Sequence, residues 1–110
     1  MTKVTFYCDE TDKPFGFSCE GHAGFDEYGK DIVCAAISVL TINFINSVEK
    51  LTNTACDCIS KEREGALKVT IKDYKKAEVA LLFESLRLGL NDLQEEYPKN
   101  LKLTNRRCKP

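Results

Sequence analysis

Residues 4–19 read VTFYCDETDKPFGFSC, and the two short runs in this stretch decide how the fold begins. Each run alternates apolar with other residues, and the apolar members are Val4, Phe6, Cys8, Phe15, Phe17 and Cys19. A period of two is typical of β-strands that bury one face. The polar residues between the runs, 10–13, predict a turn. This stretch therefore predicts a β-hairpin.

A long apolar segment, IVCAAISVLTINFINSVEKL at residues 32–51, follows the hairpin and predicts a helix. Asp31 stands directly before it and suits the N-cap, because its carboxylate can accept hydrogen bonds from the amides of the first turn. Apolar residues spread beyond one stripe of this helix. We therefore expect part of it to face a second subunit.

The second half of the chain repeats the order of hairpin and helix. Residues 55–61 and 66–72 predict a third and a fourth strand, which a turn at 62–65 joins. We expect Cys56 and Cys58 to share one face of the third strand. Residues 76–96 place their apolar side chains on one face and predict a second helix.

The end of the chain adds a possible short strand. Pro98 stops the second helix, and Leu101 and Leu103 flank a lysine before a basic tail that contains Arg106, Arg107 and Lys109. The order ββαββα, with this possible final strand, predicts an α+β fold of two layers. In it, two helices cover a largely antiparallel sheet of four to five strands.

Length and charge bound the function. The chain has 110 residues, which predicts a single domain over 1–110. The 16 basic and 17 acidic residues give a net charge of −1, so we expect no direct binding to nucleic acid. No apolar run is expected to be long enough to cross a membrane, and the first residues lack the apolar core of a signal peptide. We therefore expect a cytoplasmic protein.

The chain contains six cysteines: Cys8, Cys19, Cys34, Cys56, Cys58 and Cys108. A disulfide framework is typical of small secreted chains, which this composition does not indicate. No Cys-x-x-Cys pair is present and His22 is the only histidine, so the pattern disfavours zinc as well. We expect no metal and no other cofactor, and most of these cysteines read as reduced, partly buried hydrophobes.

His22 and Cys34 are the residues that could carry chemistry. They are 12 positions apart, joined by a loop, residues 21–30, that holds three glycines. With Asp31 as N-cap, Cys34 takes the third helical position, where free amides and the helix dipole favour a thiolate and predict a lowered pKa. An imidazole within reach would pair with that thiolate and later protonate a leaving amine. Amides at the helix start could also stabilise an oxyanion.

Two further residues lie in range, and each has a plainer interpretation. Ser38 follows Cys34 by one turn on the same face and could orient the thiol or bind substrate, or serve as a small packing residue. Asp31 could orient His22 or only cap the helix. Cys34 could be a packed core thiol and His22 a polar loop residue. The residues alone rank a cysteine hydrolase modestly above a binding module.

The stretch GHAGFDEYGKDIVCAAIS at residues 21–38 closely resembles the signature of the ribosomal-processing cysteine protease family (Prp). The segments TINFINSVEKLT and LQEEYPKNLKLT extend the resemblance over nearly the whole chain. The resemblance implies a small α+β homodimer without a metal, in which Cys34 is the nucleophile and His22 its partner. Asp31 and Ser38 match positions around the dyad and the substrate.

The resemblance also implies a substrate and a moving part. The family removes a short N-terminal extension from large-subunit ribosomal protein twenty-seven. Its mobile loop matches residues 24–30, and the loop residues that stand out are Gly21, Gly24, Tyr28 and Gly29. We expect this loop to close over the peptide, and His22 and Cys34 to be apart until it does. The alternative is a non-catalytic ribosome-assembly factor that binds the same tail.

Overall fold

The computed structural model describes residues 1–27 and 29–110, without the side chain of Glu62. Its elements follow the order ββαββαβ. The helices and strands are β1 (Thr2–Cys8), β2 (Pro14–Glu20), α1 (Ile32–Leu51), β3 (Asp57–Lys61), β4 (Ala66–Thr70), α2 (Ala77–Glu96) and β5 (Leu101–Arg107). A 3-10 turn, Glu62–Glu64, lies between β3 and β4. The predicted α+β fold with a largely antiparallel sheet is confirmed.

The five strands lie in the order β3-β4-β2-β1-β5. Neighbouring strands are antiparallel except β5, which runs parallel to β1 from Leu101 opposite Thr2 to Arg107 opposite Cys8. The final strand is therefore longer than predicted, and Arg106 and Arg107 belong to it rather than to a tail. β5 pairs with β1 along its full length. This pairing satisfies the backbone groups that β1 would expose if it were the edge strand.

The hairpin of β3 and β4 is shorter than predicted. β3 begins at Asp57, which pairs with Thr70, the last residue of β4. Cys56 precedes the strand because no residue of β4 remains to pair with it. The prediction that Cys56 and Cys58 share one face of a strand is therefore wrong.

Aromatic side chains join the sheet to both helices. The ring of Phe17 in β2 lies 5.6 Å from the ring of Phe44 in α1, which lies 4.6 Å from Phe83 in α2. All three side chains are buried. Burial of each side chain of this size contributes about 2 kcal/mol to folding. This core packs α1 against both β2 and α2.

By length and composition alone, α1 could cross a membrane, so the expectation that no apolar segment approaches that size is wrong. One such helix is weak evidence for a membrane span. Five of its residues recur at helical spacing and are buried: Val33, Ile37, Thr41, Phe44 and Val48. They identify α1 as the core helix of this fold.

Candidate active site

Asp31 caps α1 and fixes the position of Cys34. Its Oδ1 accepts hydrogen bonds from the amides of Val33 at 2.9 Å and Cys34 at 3.0 Å. The predicted N-cap is confirmed, and Cys34 takes the third helical position. These contacts occupy the amides of Val33 and Cys34, so these two amides are not free to face the sulfur or an oxyanion in this structure. Stabilisation of an oxyanion by other amides at the helix start stays a prediction.

The second oxygen of Asp31 holds the glycine-containing loop. Oδ2 accepts from the amide of Phe25 at 2.9 Å and from that of Asp26 at 3.2 Å. Burial of Asp31 raises the pKa of its carboxyl, but the amide hydrogen bonds together outweigh this effect and leave the pKa below its ordinary value. These four amide bonds make Asp31 the cap of the helix and the anchor of the loop, and within the described residues no hydrogen bond joins Asp31 to His22.

Cys34 is half-buried, and its sulfur faces the residue that follows His22. The amide of Ala23 donates a hydrogen bond to Sγ at 3.2 Å. Burial raises the pKa of the Cys34 thiol, the Ala23 amide opposes this, and the nearby Asp31 carboxylate raises the pKa further. The predicted lowered pKa is therefore wrong, first because the thiol is partly buried and second because the carboxylate of the cap lies close to the sulfur.

His22 is exposed directly after β2, and the backbone orients its ring. Its Nε2 lies 3.0 Å from the carbonyl oxygen of Arg63 in the 3-10 turn. Because a carbonyl can only accept, Nε2 is the donor in this contact, and in the neutral tautomer that donates here Nδ1 is the nitrogen without a proton. Within the described residues, no hydrogen bond joins His22 to Cys34. The two are instead linked through Ala23.

The turn between β3 and β4 packs closely against His22. Gly65 has φ +62°, and a Cβ at this position would lie 2.5 Å from the carbonyl oxygen of Gly21 and 3.2 Å from Cε1 of His22. Only glycine fits both this conformation and this approach. Arg63 and Gly65 therefore position the imidazole, although they follow it by some forty residues.

The glycine-containing loop has the unusual backbone that its sequence predicts. Gly21, Gly24 and Gly29 have φ between +71° and +88°. Tyr28, the other residue predicted to stand out here, lies outside the described residues. The mobility of this loop stays a prediction.

Contacts from the end of α2 reach the same loop. The ring of Phe25 meets that of Tyr97 edge-on, with centroids 5.4 Å apart, and Asn100 donates from Nδ2 to the carbonyl oxygen of Ala23 at 2.9 Å. These partners are more than seventy residues apart along the chain. No local pattern in the sequence signals either contact.

Ser38 lies one turn beyond Cys34 on α1 and is exposed. Its carbonyl accepts a hydrogen bond from the Thr41 hydroxyl at 3.2 Å. In the part of the chain that the structure describes, no hydrogen bond joins its hydroxyl to Cys34. Its role toward the thiol or the substrate stays a prediction.

The chain matches known proteins along nearly its whole length. The family model described as cysteine protease Prp matches residues 1–102. The ribosomal processing cysteine protease Prp of Staphylococcus aureus is 31% identical over 103 residues, which cover 94% of this chain and 97% of that protein. The protein of the same name from Bacillus subtilis is 26% identical over 92 residues, covering 80% of this chain and 82% of that one.

Solved structures share the fold as well. The S. aureus Prp protease in complex with a covalently linked product peptide superposes with a TM-score of 0.91 at 27% identity, over 96% of this chain and all of that one. A protein from Streptococcus mutans superposes with a TM-score of 0.85 at 30% identity, over 98% of this chain and 96% of that one.

Cys34 places a thiol in the first turn of a core helix, and its sulfur contacts Ala23, the neighbour of His22. Together with these matches, this arrangement defines a cysteine protease of α+β fold. The chain belongs to the family of cysteine protease Prp.

Proposed function

We propose that this protease removes the short N-terminal extension of large-subunit ribosomal protein twenty-seven, with Cys34 as nucleophile and His22 as acid and base. The relatives from S. aureus and B. subtilis are named ribosomal processing proteases, and a second S. aureus structure holds a substrate peptide. One observation carries the assignment of the residues. The amide of Ala23, next to His22, donates to the sulfur of Cys34 at 3.2 Å.

The proposed reaction passes through an acyl-enzyme. Nδ1 of His22 takes the thiol proton of Cys34, and the sulfur attacks the carbonyl carbon of the scissile peptide bond. The proton then passes from His22 to the departing amine as the carbon–nitrogen bond breaks. Water, deprotonated by His22, hydrolyses the thioester and restores the thiol.

Substrate binding supplies the last step of assembly in this proposal. The raised pKa of Cys34 keeps the thiol protonated, and His22 is bonded to Arg63 rather than to Cys34. Closure of loop 24–30 over the peptide brings the imidazole to the sulfur. Because the catalytic residues would come together only when the substrate binds, other proteins would not be cleaved.

The active form in this proposal is a homodimer built on the outer face of the helix layer. Ile32, Val39 and Ile42 of α1 are apolar and more than half exposed. Ile32 and Val39 line an apolar groove of about 520 Å³ that continues to Gly89 and Leu93 of α2. A second copy would cover this surface.

Light scattering is expected to give twice the chain mass, and Val39→Lys is expected to give the monomer.

A cytoplasmic location fits the chemistry. All six cysteines are free thiols in the structure, and Cys58 and Cys108 are exposed. Exposed thiols stay reduced in the cytoplasm, where glutathione and thioredoxin act. The family match favours a protease over the alternative of a non-catalytic assembly factor.

The test is cleavage of the extended ribosomal protein by purified variants. Cys34→Ala and His22→Ala are expected to abolish cleavage and to keep the fold, while Cys58→Ala, which removes an exposed thiol on β3, cleaves at the normal rate. Mass spectrometry locates the cut. Cleavage by Cys34→Ala, or an intact extension after incubation with the wild type, would contradict the proposal.

A further inference from the structure

Asn100 reaches the active site from the opposite end of the sequence. It lies between α2 and β5, and its backbone is held on both sides. Its amide donates to the carbonyl oxygen of Tyr97 at 3.0 Å, and its own carbonyl accepts from the amide of Thr2 at 2.9 Å. The half-buried side chain thus extends from a fixed point where a helix and two strands meet.

The side chain of Asn100 ends on the residue that contacts the sulfur. Nδ2 donates to the carbonyl oxygen of Ala23 at 2.9 Å, and the amide of Ala23 donates to Sγ of Cys34 at 3.2 Å. Ala23 is 1% exposed, so water does not replace either bond freely. Both polar groups of this one residue are therefore committed, one to Asn100 and the other to Cys34.

The backbone on either side of Ala23 does not by itself fix this orientation. Gly24 follows with φ +71°, and Gly21 precedes His22 with φ +85°. Glycine permits many backbone angles, so Gly24 does not by itself fix the peptide that carries the Ala23 carbonyl, and hydrogen bonds contribute to its orientation. The Asn100 bond is the side-chain contact that restrains the carbonyl of Ala23.

We propose that Asn100 is a positioning residue for the protease, because it fixes Ala23 so that the Ala23 amide points at the Cys34 sulfur and stabilises the thiolate. This proposal rests on the role of Cys34 as nucleophile and adds a residue to that site. A hydrogen bond donated to the ionised sulfur is charge-assisted, so its loss weakens the thiolate more than the neutral thiol.

Other charges act on Cys34 and must stay constant in a test. The Asp31 carboxylate raises the pKa of the thiol, and the amino group of Met1 lowers it. His22 lies beside Ala23 and carries a charge when protonated. Substitution of Asn100 changes none of these groups, so a shift in the ionisation of Cys34 would report on the Ala23 amide.

The experiment measures the rate of iodoacetamide alkylation at Cys34 from about pH 7 to about pH 12, because the raised pKa of this thiol places the midpoint in the alkaline range. Peptide mass spectrometry resolves Cys34 from the other five cysteines. In Asn100→Ala, the midpoint of the pH curve is expected to rise by about one unit, which makes alkylation roughly tenfold slower at neutral pH. The pH profile of peptide cleavage is expected to move in the same direction. Asn91→Ala, on the exposed face of α2, is the matched control and keeps the wild-type midpoint.

Folding and positioning are separated by a second variant. Asn100→Leu keeps most of the side-chain volume without a donor and is expected to show the same shift as Asn100→Ala. A folded variant with an unchanged midpoint, or an equal loss of cleavage at every pH without a shift, would overturn the proposal. Unfolding of both variants would also overturn it, because Asn100 would then be needed for folding instead.

This measurement does not depend on the ribosomal substrate. If the extended ribosomal protein is not cleaved but the Asn100 variants shift the alkylation of Cys34, the proposed substrate fails and the positioning role stands. If cleavage follows Cys34 and His22 but the alkylation curve is unaffected, only the role of Asn100 fails.

Discussion

Asp9 and Asp31 are two buried carboxylates that organise turns at opposite ends of the sheet. Asp9 follows β1 and accepts hydrogen bonds from the amide and hydroxyl of Thr11 at 2.8 and 2.6 Å, from the amide of Lys13 at 3.0 Å and from the Tyr74 hydroxyl at 2.8 Å. Asp31 accepts from four amides around the start of α1. Both carboxyls have lowered pKa values.

The two ends differ in what surrounds the carboxylate. The Asp9 turn borders a cavity of about 540 Å³ whose lining includes Lys13, Lys75 and Arg107. The cavity at the Asp9 end is also lined by a thiol, that of Cys108. The only histidine of the chain, however, lies at the Asp31 end. A satisfied buried carboxylate is thus a structural device in both places. Cys34 becomes a candidate nucleophile because Ala23, beside His22, contacts its sulfur.

The largest contrast between the two ends is expected for glycine substitutions. An alanine Cβ at Gly65 would lie 2.5 Å from the carbonyl oxygen of Gly21, and one at Gly16 would lie 2.5 Å from that of Val69. Both variants are expected to lose about 2 kcal/mol of unfolding free energy in urea titrations, because each overpacks a backbone contact.

Only Gly65→Ala disturbs the ring of His22, so it alone is expected to lower kcat, by about 100-fold. Peptide cleavage below the melting temperature checks this. Equal kcat losses in Gly65→Ala and Gly16→Ala would show that the turn at residues 62–65 does not position His22.

A smaller effect is expected from the carboxylates. It increases the reactivity of Cys34, whereas Gly65→Ala is expected to lower kcat. Asp31→Asn removes a charge that raises the pKa of Cys34 and retains an oxygen for the helix cap. Alkylation of Cys34 is therefore expected to reach its midpoint up to about one pH unit lower than in the wild type. Asp9→Asn, at the other end of the sheet, is expected to leave the curve in place. A rise in the midpoint for Asp31→Asn would contradict this account of the sulfur.

Acid stability is expected to report on both ends together. Because the folded pKa of each carboxyl lies below its unfolded value of about 3.9, each stabilises the fold above that pH. The contribution is lost as the pH falls through the folded pKa. Urea titrations at neutral and acidic pH are expected to show a smaller loss of stability on acidification in the double variant Asp9→Asn, Asp31→Asn than in the wild type. An unchanged loss would mean that neither carboxyl is linked to folding in this way.

The smallest effect is expected at Ser38. Its side chain is exposed and has no hydrogen bond to Cys34 among the described residues. Ser38→Ala is expected to change the unfolding free energy by less than about 0.5 kcal/mol and the alkylation of Cys34 by less than about twofold. An increase in KM for the peptide with constant kcat would assign Ser38 to substrate binding. A large fall in alkylation would instead place it against the thiol.

Much of this arrangement could be predicted because it depends on neighbours in the chain. The alternation of Val4, Phe6 and Cys8 predicted β1, and Asp31 before an apolar run predicted the cap and the place of Cys34 in the first turn. The ionisation of Cys34 was predicted with the wrong sign. The sequence shows that a cap is present, but the depth of burial and the distance from the carboxylate to the sulfur depend on packing.

By itself, the sequence determined the order of elements, the helix start and the two residues that could react, since periodicity and capping act over a few positions. Only the tertiary structure decided what holds those residues in place. Arg63 accepts from His22 across 41 positions and Asn100 reaches Ala23 across 77. Such contacts form because the fold places the end of β2 beside the start of β4 and the end of α2, and no local pattern encodes which side chains then meet.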